Sequence, residues 1–208
     1  MMERLLLTSY FKMVASCMPE FLDGACEGKT VCFIPTASIP EKVDFCVGSG
    51  KRALLGLGMK VTQLEVSTAS REEIESGIRR SDILYVAGGN TFFLLQELKR
   101  TGADKLIVEQ IKAGKPYVGE SAGSVIAAPD IGYVQKMDSV KAAPDLHGDY
   151  RALNVIDFAV VPHVGNAPFK KATEWIMKTY SDEYDLRPIS NNQAIRAMGS
   201  QVDVLTVE

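Results

Sequence analysis

Long apolar runs are missing from this chain. Nothing approaches the ~20 consecutive apolar residues that span a bilayer, and the start, Met1 to Ser9, holds too short an apolar stretch for a secretory signal. Basic tracts are missing as well. With 23 Lys and Arg against 26 Asp and Glu, and no basic amphipathic segment, the chain offers no electrostatic footprint for nucleic acid or for a membrane surface. Cysteine is sparse: Cys17, Cys26, Cys32 and Cys46 lie in the first quarter with no C-x-x-C pair, and read as reduced, mostly buried small residues. The two histidines, His147 and His163, stand far from those cysteines in sequence, so no zinc-ligand spacing forms and no metal or other cofactor is expected. These absences predict a cytoplasmic protein. Its 208 residues, 46% hydrophobic and 24% charged, are those of an ordinary globular chain, and residues 1–208 read as one domain.

Apolar β-rich runs alternate with segments of helical period, the pattern of an α/β fold whose sheet is covered by helices on both faces. Strands are predicted at Arg4 to Thr8, Val31 to Pro35, Lys60 to Val66, Ile83 to Ala87 and Tyr117 to Gly119. Helices are predicted at Phe11 to Leu22, Glu41 to Leu57, Arg71 to Arg79, Phe92 to Thr101 and Lys105 to Ala113. Beyond these come an apolar run over Phe158 to Pro162, a helix over Ala172 to Tyr180 and a terminal β-hairpin, Gln193 to Met198 with Val202 to Val207. The polar segment from Gly132 to Asn154 is long enough to serve a site rather than merely connect.

The stretch Gly119-Glu120-Ser121-Ala122-Gly123, between a strand and a helix, is a nucleophile elbow. A serine on so sharp a turn takes an unfavourable backbone conformation and stands at the positive end of the following helix, where the N–H of Ala122 faces a developing oxyanion. The bland alternative is a tight turn that contains a serine. Ala87-Gly88-Gly89-Asn90-Thr91 ends the Ile83 strand and opens a helix, so it reaches the same carboxyl edge of a parallel sheet as the elbow. Gly88 or Gly89 supplies a second oxyanion donor, and Asn90 caps the helix and stands as a candidate substrate contact. The G-x-G-x-x-G and G-x-x-x-x-G-K-[ST] patterns of nucleotide loops are absent. A serine nucleophile needs a base. His163, at the end of the Phe158 to Pro162 run, is expected at the sheet's carboxyl edge, whereas His147 lies in a solvated loop.

In this order the motifs Val86-Ala87-Gly88-Gly89-Asn90-Thr91, Gly119-Glu120-Ser121-Ala122-Gly123 and Pro162-His163 resemble the dipeptidase E (aspartyl dipeptidase) family of serine peptidases, which is related to the cyanophycinases. The resemblance covers nearly the whole chain. It implies a flavodoxin-like, class I glutamine-amidotransferase-like three-layer sandwich with a mostly parallel sheet. It also implies Ser121 as nucleophile, His163 as base and Gly88 or Gly89 at the oxyanion turn. The acid that would orient His163 departs from the family pattern: Lys136 falls at its position, with Asp138 two residues later and Asp130 earlier. Asp138 is the choice, with an amide from Asn191 or Asn192, or a backbone carbonyl, as the alternative. No arginine follows His163 where aspartyl dipeptidases hold the substrate carboxylate, so Lys170 or Lys171 is the candidate there, and Glu120 is the candidate partner for a substrate ammonium.

The expected function is hydrolysis of short peptides by a Ser-His mechanism, with an acidic first residue as a candidate preference, in a monomer or homodimer. Two other readings stay open. One is a binding or regulatory module that keeps the sheet without catalysis; the other is a small serine esterase, although no H-G-G-G loop is present and the chain beyond the elbow is short for that fold.

Overall fold

Each central strand carries apolar side chains to both of its faces, and that decides the architecture. In β1 (Arg4–Thr8) the pleat sends Leu6 one way and Leu5 and Leu7 the other, and in β2 (Thr30–Ile34) it divides Val31 and Phe33 from Cys32 and Ile34. β4 (Ile83–Val86) does the same with Ile83 and Tyr85 against Leu84 and Val86. Two-sided burial of this kind demands helices on both faces. The computed structural model, which describes residues 2–41 and 45–208 and the side chains of all of these but 45–47, has that arrangement.

The seven-stranded sheet runs β3-β2-β4-β5-β1-β8-β9, with β3 (Lys60–Gln63) at one edge and β5 (Tyr117–Glu120) between β4 and β1. Every pairing from β3 to β1 is parallel. The hairpin β8 (Gln193–Met198) and β9 (Gln201–Thr206) then adds two antiparallel strands beside β1. On the face holding Leu6, Phe33 and Tyr85 pack α1 (Phe11–Val14), α2 (Met18–Phe21) and α3 (Phe45–Gly56). The opposite face is covered by α4 (Arg71–Arg80), α5 (Thr91–Thr101), α6 (Ala103–Lys112), α7 (Ala122–Val125) and α8 (Lys170–Tyr180). No helix among the described residues is long and apolar enough to cross a membrane.

Three differences from the sequence reading have physical causes. The helix expected over Phe11 to Leu22 is broken by a 3-10 turn at Ala15–Cys17, just before Pro19, whose ring and missing N–H suit a helix start. The Phe158 to Pro162 run, expected to bring His163 out at the carboxyl edge of the main sheet, forms β6 (Ala159–Val161) in a separate two-stranded parallel sheet with β7 (Leu186–Pro188), a strand too short to stand out by pattern. The start of the helix expected from Glu41 and the side chain of Cys46 lie outside the described residues. Cys26 and Cys32 are buried free thiols, and burial pushes Cys32 up to about 12.

Candidate active site

The carboxyl ends of β2, β4 and β5 are neighbours in the sheet, and the chain leaving each of them reaches one cavity. From β5 it passes directly into the elbow. Ser121 adopts φ 49° and ψ -108°, a conformation L-residues rarely hold, and cross-bonds fix it there. Its N–H donates to the Thr8 carbonyl at 2.8 Å, and the buried Ser124 hydroxyl lies 2.8 Å from both the Thr8 and Gly119 carbonyls. A Cβ at Gly123 would stand 2.0 Å from the Val86 carbonyl oxygen, so α7 packs on β4 as closely as it does only because that position is glycine.

The Ser121 Oγ lies 2.9 Å from Nε2 of His163. His163 follows β6 by two residues in the left-handed region, at φ 64°, and its turn is stitched to the segment between β7 and β8. The Val164 N–H donates to the Ile189 carbonyl, and the Ser9 hydroxyl accepts from the His163 N–H at 3.0 Å while donating to the same Ile189 carbonyl at 3.0 Å. The imidazole is 8% exposed and stacks on Phe169 with ring centroids 4.9 Å apart. Burial lowers its pKa below the ordinary histidine value, only partly offset by a hydrogen bond to Asn191, so the ring is neutral at pH 7.

That hydrogen bond corrects the assignment of the acid. The group 2.8 Å from Nδ1 is Oδ1 of Asn191, itself fixed by the bond from its backbone N–H to Oδ1 of Asn166. An amide oxygen only accepts, so the proton sits on Nδ1 and Nε2 is left to accept from the serine. Asp138 does not orient the ring. Its Oδ2 takes the N–H of Thr91 at 2.9 Å and the Thr91 hydroxyl at 2.5 Å, at the start of α5, where a carboxylate is favoured by the helix dipole. Burial raises Asp138 to about 6, with repulsion from Glu41 contributing.

Of the expected oxyanion groups, Gly88, Gly89 and Ala122 all line the cavity, and their N–H groups make no hydrogen bond among the described residues. A Cβ on Gly88 would lie 3.7 Å from the Ser121 Oγ, which measures how near that turn comes to the serine hydroxyl. Asn90 is at the wall too, but both ends of its amide are used: Oδ1 caps the Phe93 N–H and Nδ2 donates to the Ser139 carbonyl.

Two substrate-contact expectations fail on geometry. Glu120 shares a face with Val118 by strand alternation and so points away from the cavity; fully buried, it accepts from the Phe11 N–H at 2.9 Å and the Tyr85 hydroxyl at 2.7 Å. Lys170 opens α8 exposed to solvent, as does Lys171, and neither lines the cavity. His147 also lies outside it, in a surface loop. Sequence reasoning missed Ser9 and Thr8 altogether.

The cavity measures about 370 Å³. A larger open groove of about 1010 Å³ along β3 and α4 holds neither Ser121 nor His163, so size alone would mislead.

A family model for peptidase family S51 matches residues 5–205. An uncharacterized peptidase of Listeria monocytogenes is 53% identical over 201 residues, 97% of this chain and 97% of that protein. The crystal structure of a candidate Peptidase E protein from Listeria monocytogenes EGD-e covers the whole of both chains with a TM-score of 0.95 at 51% identity. Peptidase E of Shewanella denitrificans is 36% identical over 134 residues, 64% of this chain and 53% of that protein. A match over nearly the full length, to a family model and to a close structural counterpart, means that the chain belongs to peptidase family S51 and is a serine-type peptidase.

Proposed function

We propose that this peptidase cuts short peptides with a free amino terminus, using Ser121 as nucleophile and His163 as general base. The observation that carries the reading is the Asn191–His163–Ser121 relay, with contacts of 2.8 and 2.9 Å on a ring held neutral by burial. Ser121 Oγ attacks the scissile carbonyl as its proton passes to Nε2, and the N–H groups of Ala122 and of the Gly88-Gly89 turn donate to the tetrahedral oxyanion. The imidazolium then returns the proton to the leaving amine. Asn191 does the orienting work of a triad acid without its charge: it fixes the tautomer and accepts from the ring in both protonation states. Water takes the place of the amine in a second round on the same groups and releases the acyl fragment.

Substrate size follows from space. A cavity of about 370 Å³, bounded on one side by Phe169 and Pro162 and on the other by the loop at Val134 to Ser139, fits one or two residues and not a folded segment. The Asn191 contact also favours the peptidase over an inactive module, because it holds a neutral ring in the tautomer that leaves Nε2 free to accept. The test is hydrolysis of a dipeptide panel by wild type and Ser121→Ala, with fluorophosphonate labelling of the serine. Loss of both signals in the variant is the expected result; cleavage that survives the substitution would reject Ser121.

A further inference from the structure

Phe169 is an aromatic residue that core packing does not explain. It is half-buried, belongs to neither hydrophobic cluster, and lines the catalytic cavity, where its one aromatic neighbour among the described residues is the imidazole of His163. The two ring centroids lie 4.9 Å apart with the planes 24° from parallel, so the phenyl ring covers one face of the imidazole. Local chain geometry puts it there. The chain reverses after His163 through Gly165, at φ 78°, and the Asn166 N–H donates back to the His163 carbonyl at 3.0 Å. Phe169 then stands at the start of α8, where its carbonyl accepts from the N–H of the buried Thr173 at 2.9 Å, so a helix and not a free loop carries the ring.

Building on the serine-peptidase reading of this cavity, we propose that Phe169 is a positioning residue for His163: its ring keeps one face of the imidazole dry and holds it in the plane that joins Asn191 to Ser121 while the proton is transferred. The hydrogen bonds leave that task open. Asn191 and Ser121 meet the two ring nitrogens edge-on, and two such bonds still allow the ring to tilt about the line between them. A stacked face resists the tilt. It also excludes water, and burial is the larger of the causes that set the His163 pKa below its ordinary value. No charged group does this instead. Ser9, Ser121 and Asn191 reach the histidine from three other segments and all are neutral, Glu41 and Asp138 on the cavity wall contribute nothing to its shift, and Lys170 beside Phe169 is exposed outside the cavity. Once the serine proton arrives, the imidazolium lies against the negative face of the phenyl ring, a contact stronger for the charged ring than for the neutral one.

The experiment compares wild type with Phe169→Ala, Phe169→Leu and Phe169→Tyr, by steady-state kinetics on one good dipeptide and by NMR titration of the histidine rings. The sequence holds only two histidines, so His147, in its surface loop, serves as internal reference. In Phe169→Ala, kcat should fall at least about tenfold as the ring loses its fixed plane. The His163 titration should move to higher pH, because water reaching the uncovered face outweighs the lost ring contact, while His147 stays where it was. Phe169→Leu fills the space without a flat face, so it should bring the titration back toward wild type and recover only part of kcat. Phe169→Tyr keeps the face and should recover both. Should Phe169→Ala fail to fold, the difference in kcat between Phe169→Leu and Phe169→Tyr decides. The titration does not depend on turnover: a His163 signal that moves in Phe169→Ala when wild type cleaves no dipeptide would reject the peptidase mechanism and keep the ring contact. Ser121-dependent cleavage in which Phe169→Ala raises KM but leaves kcat within about twofold would make Phe169 a wall of the substrate site alone and overturn the inference. A stability loss in urea melts with the His163 titration unmoved would overturn it as well.

Discussion

Substituting Asn191 probes the part of the site in which this chain departs most from a carboxylate-containing triad. In Asn191→Ala the imidazole loses the acceptor 2.8 Å from Nδ1, and nothing then fixes which nitrogen carries the proton. The loss is largest in the transition state, where the ring is an imidazolium and the hydrogen bond is charge-assisted. Such a bond is worth roughly 1.5–3 kcal/mol, which converts to a fall of about 10- to 150-fold in kcat. KM should stay within about twofold, because Asn191 does not line the cavity and contributes little to ground-state binding. Asn191→Asp makes the opposite charge change. A carboxylate at that position stabilises the imidazolium and raises the His163 pKa, which burial now holds below its ordinary value. His163 must be neutral to accept the serine proton. The acid limb of kcat/KM in wild type therefore lies below pH 6.5, and in Asn191→Asp it moves to higher pH. Steady-state kinetics on one good dipeptide from pH 4.5 to 8.5 measures both effects. A kcat for Asn191→Ala within twofold of wild type, or an acid limb that does not move in Asn191→Asp, would show that the amide is not coupled to catalysis.

Two further outcomes test the frame behind the site. Ser9→Ala removes the hydroxyl that joins the His163 N–H to the Ile189 carbonyl, leaving a buried donor unpaired; stability should fall by about 1–3 kcal/mol in urea melts, and kcat should fall about tenfold as the His163 turn relaxes. An unchanged kcat at reduced stability would make Ser9 a purely structural tie. Glu120, raised by burial from 4.5 to about 7, is protonated more readily in the fold than in the unfolded chain. Its contribution to stability is thus fully present below pH 4.5 and is lost as pH rises through 7. Relative to wild type, Glu120→Gln should gain stability on going from pH 4.5 to 8, by an amount on the order of 3 kcal/mol at most. Denaturation curves at the two pH values that differ by the same increment in both proteins would refute this linkage.

Much of the fold was legible because its strands are buried on both faces and its turns carry glycine at the required places. The β1 boundaries, the elbow and the β8–β9 hairpin all follow from such local signals. The position of Glu120 was legible as well, had the period of two been carried one step past Val118. Alternation places that carboxylate beside Tyr85, on the face opposite the cavity that holds Ser121.

The support of the histidine is a different matter, because it depends on strand order and not on any local pattern. Ser9 reaches His163 only because β1 lies between β5 and β8, and Asn191 reaches it only because β6 leaves the main sheet to pair with β7, bringing the Val161–His163 turn against the Ile189–Asn191 segment. A neutral asparagine carries no signal of acid chemistry in a sequence, so Asn191 stood there only as an alternative to Asp138. Asp138 does carry one, and it misled for a physical reason. A carboxylate near an elbow is equally suited to a helix N-terminus, and Thr91 offers it two donors at once, which the imidazole could not. The competition between those two partners was settled by donors, not by spacing. A His163 ring that burial already keeps neutral needs an acceptor to set its tautomer more than it needs a charge to hold its proton.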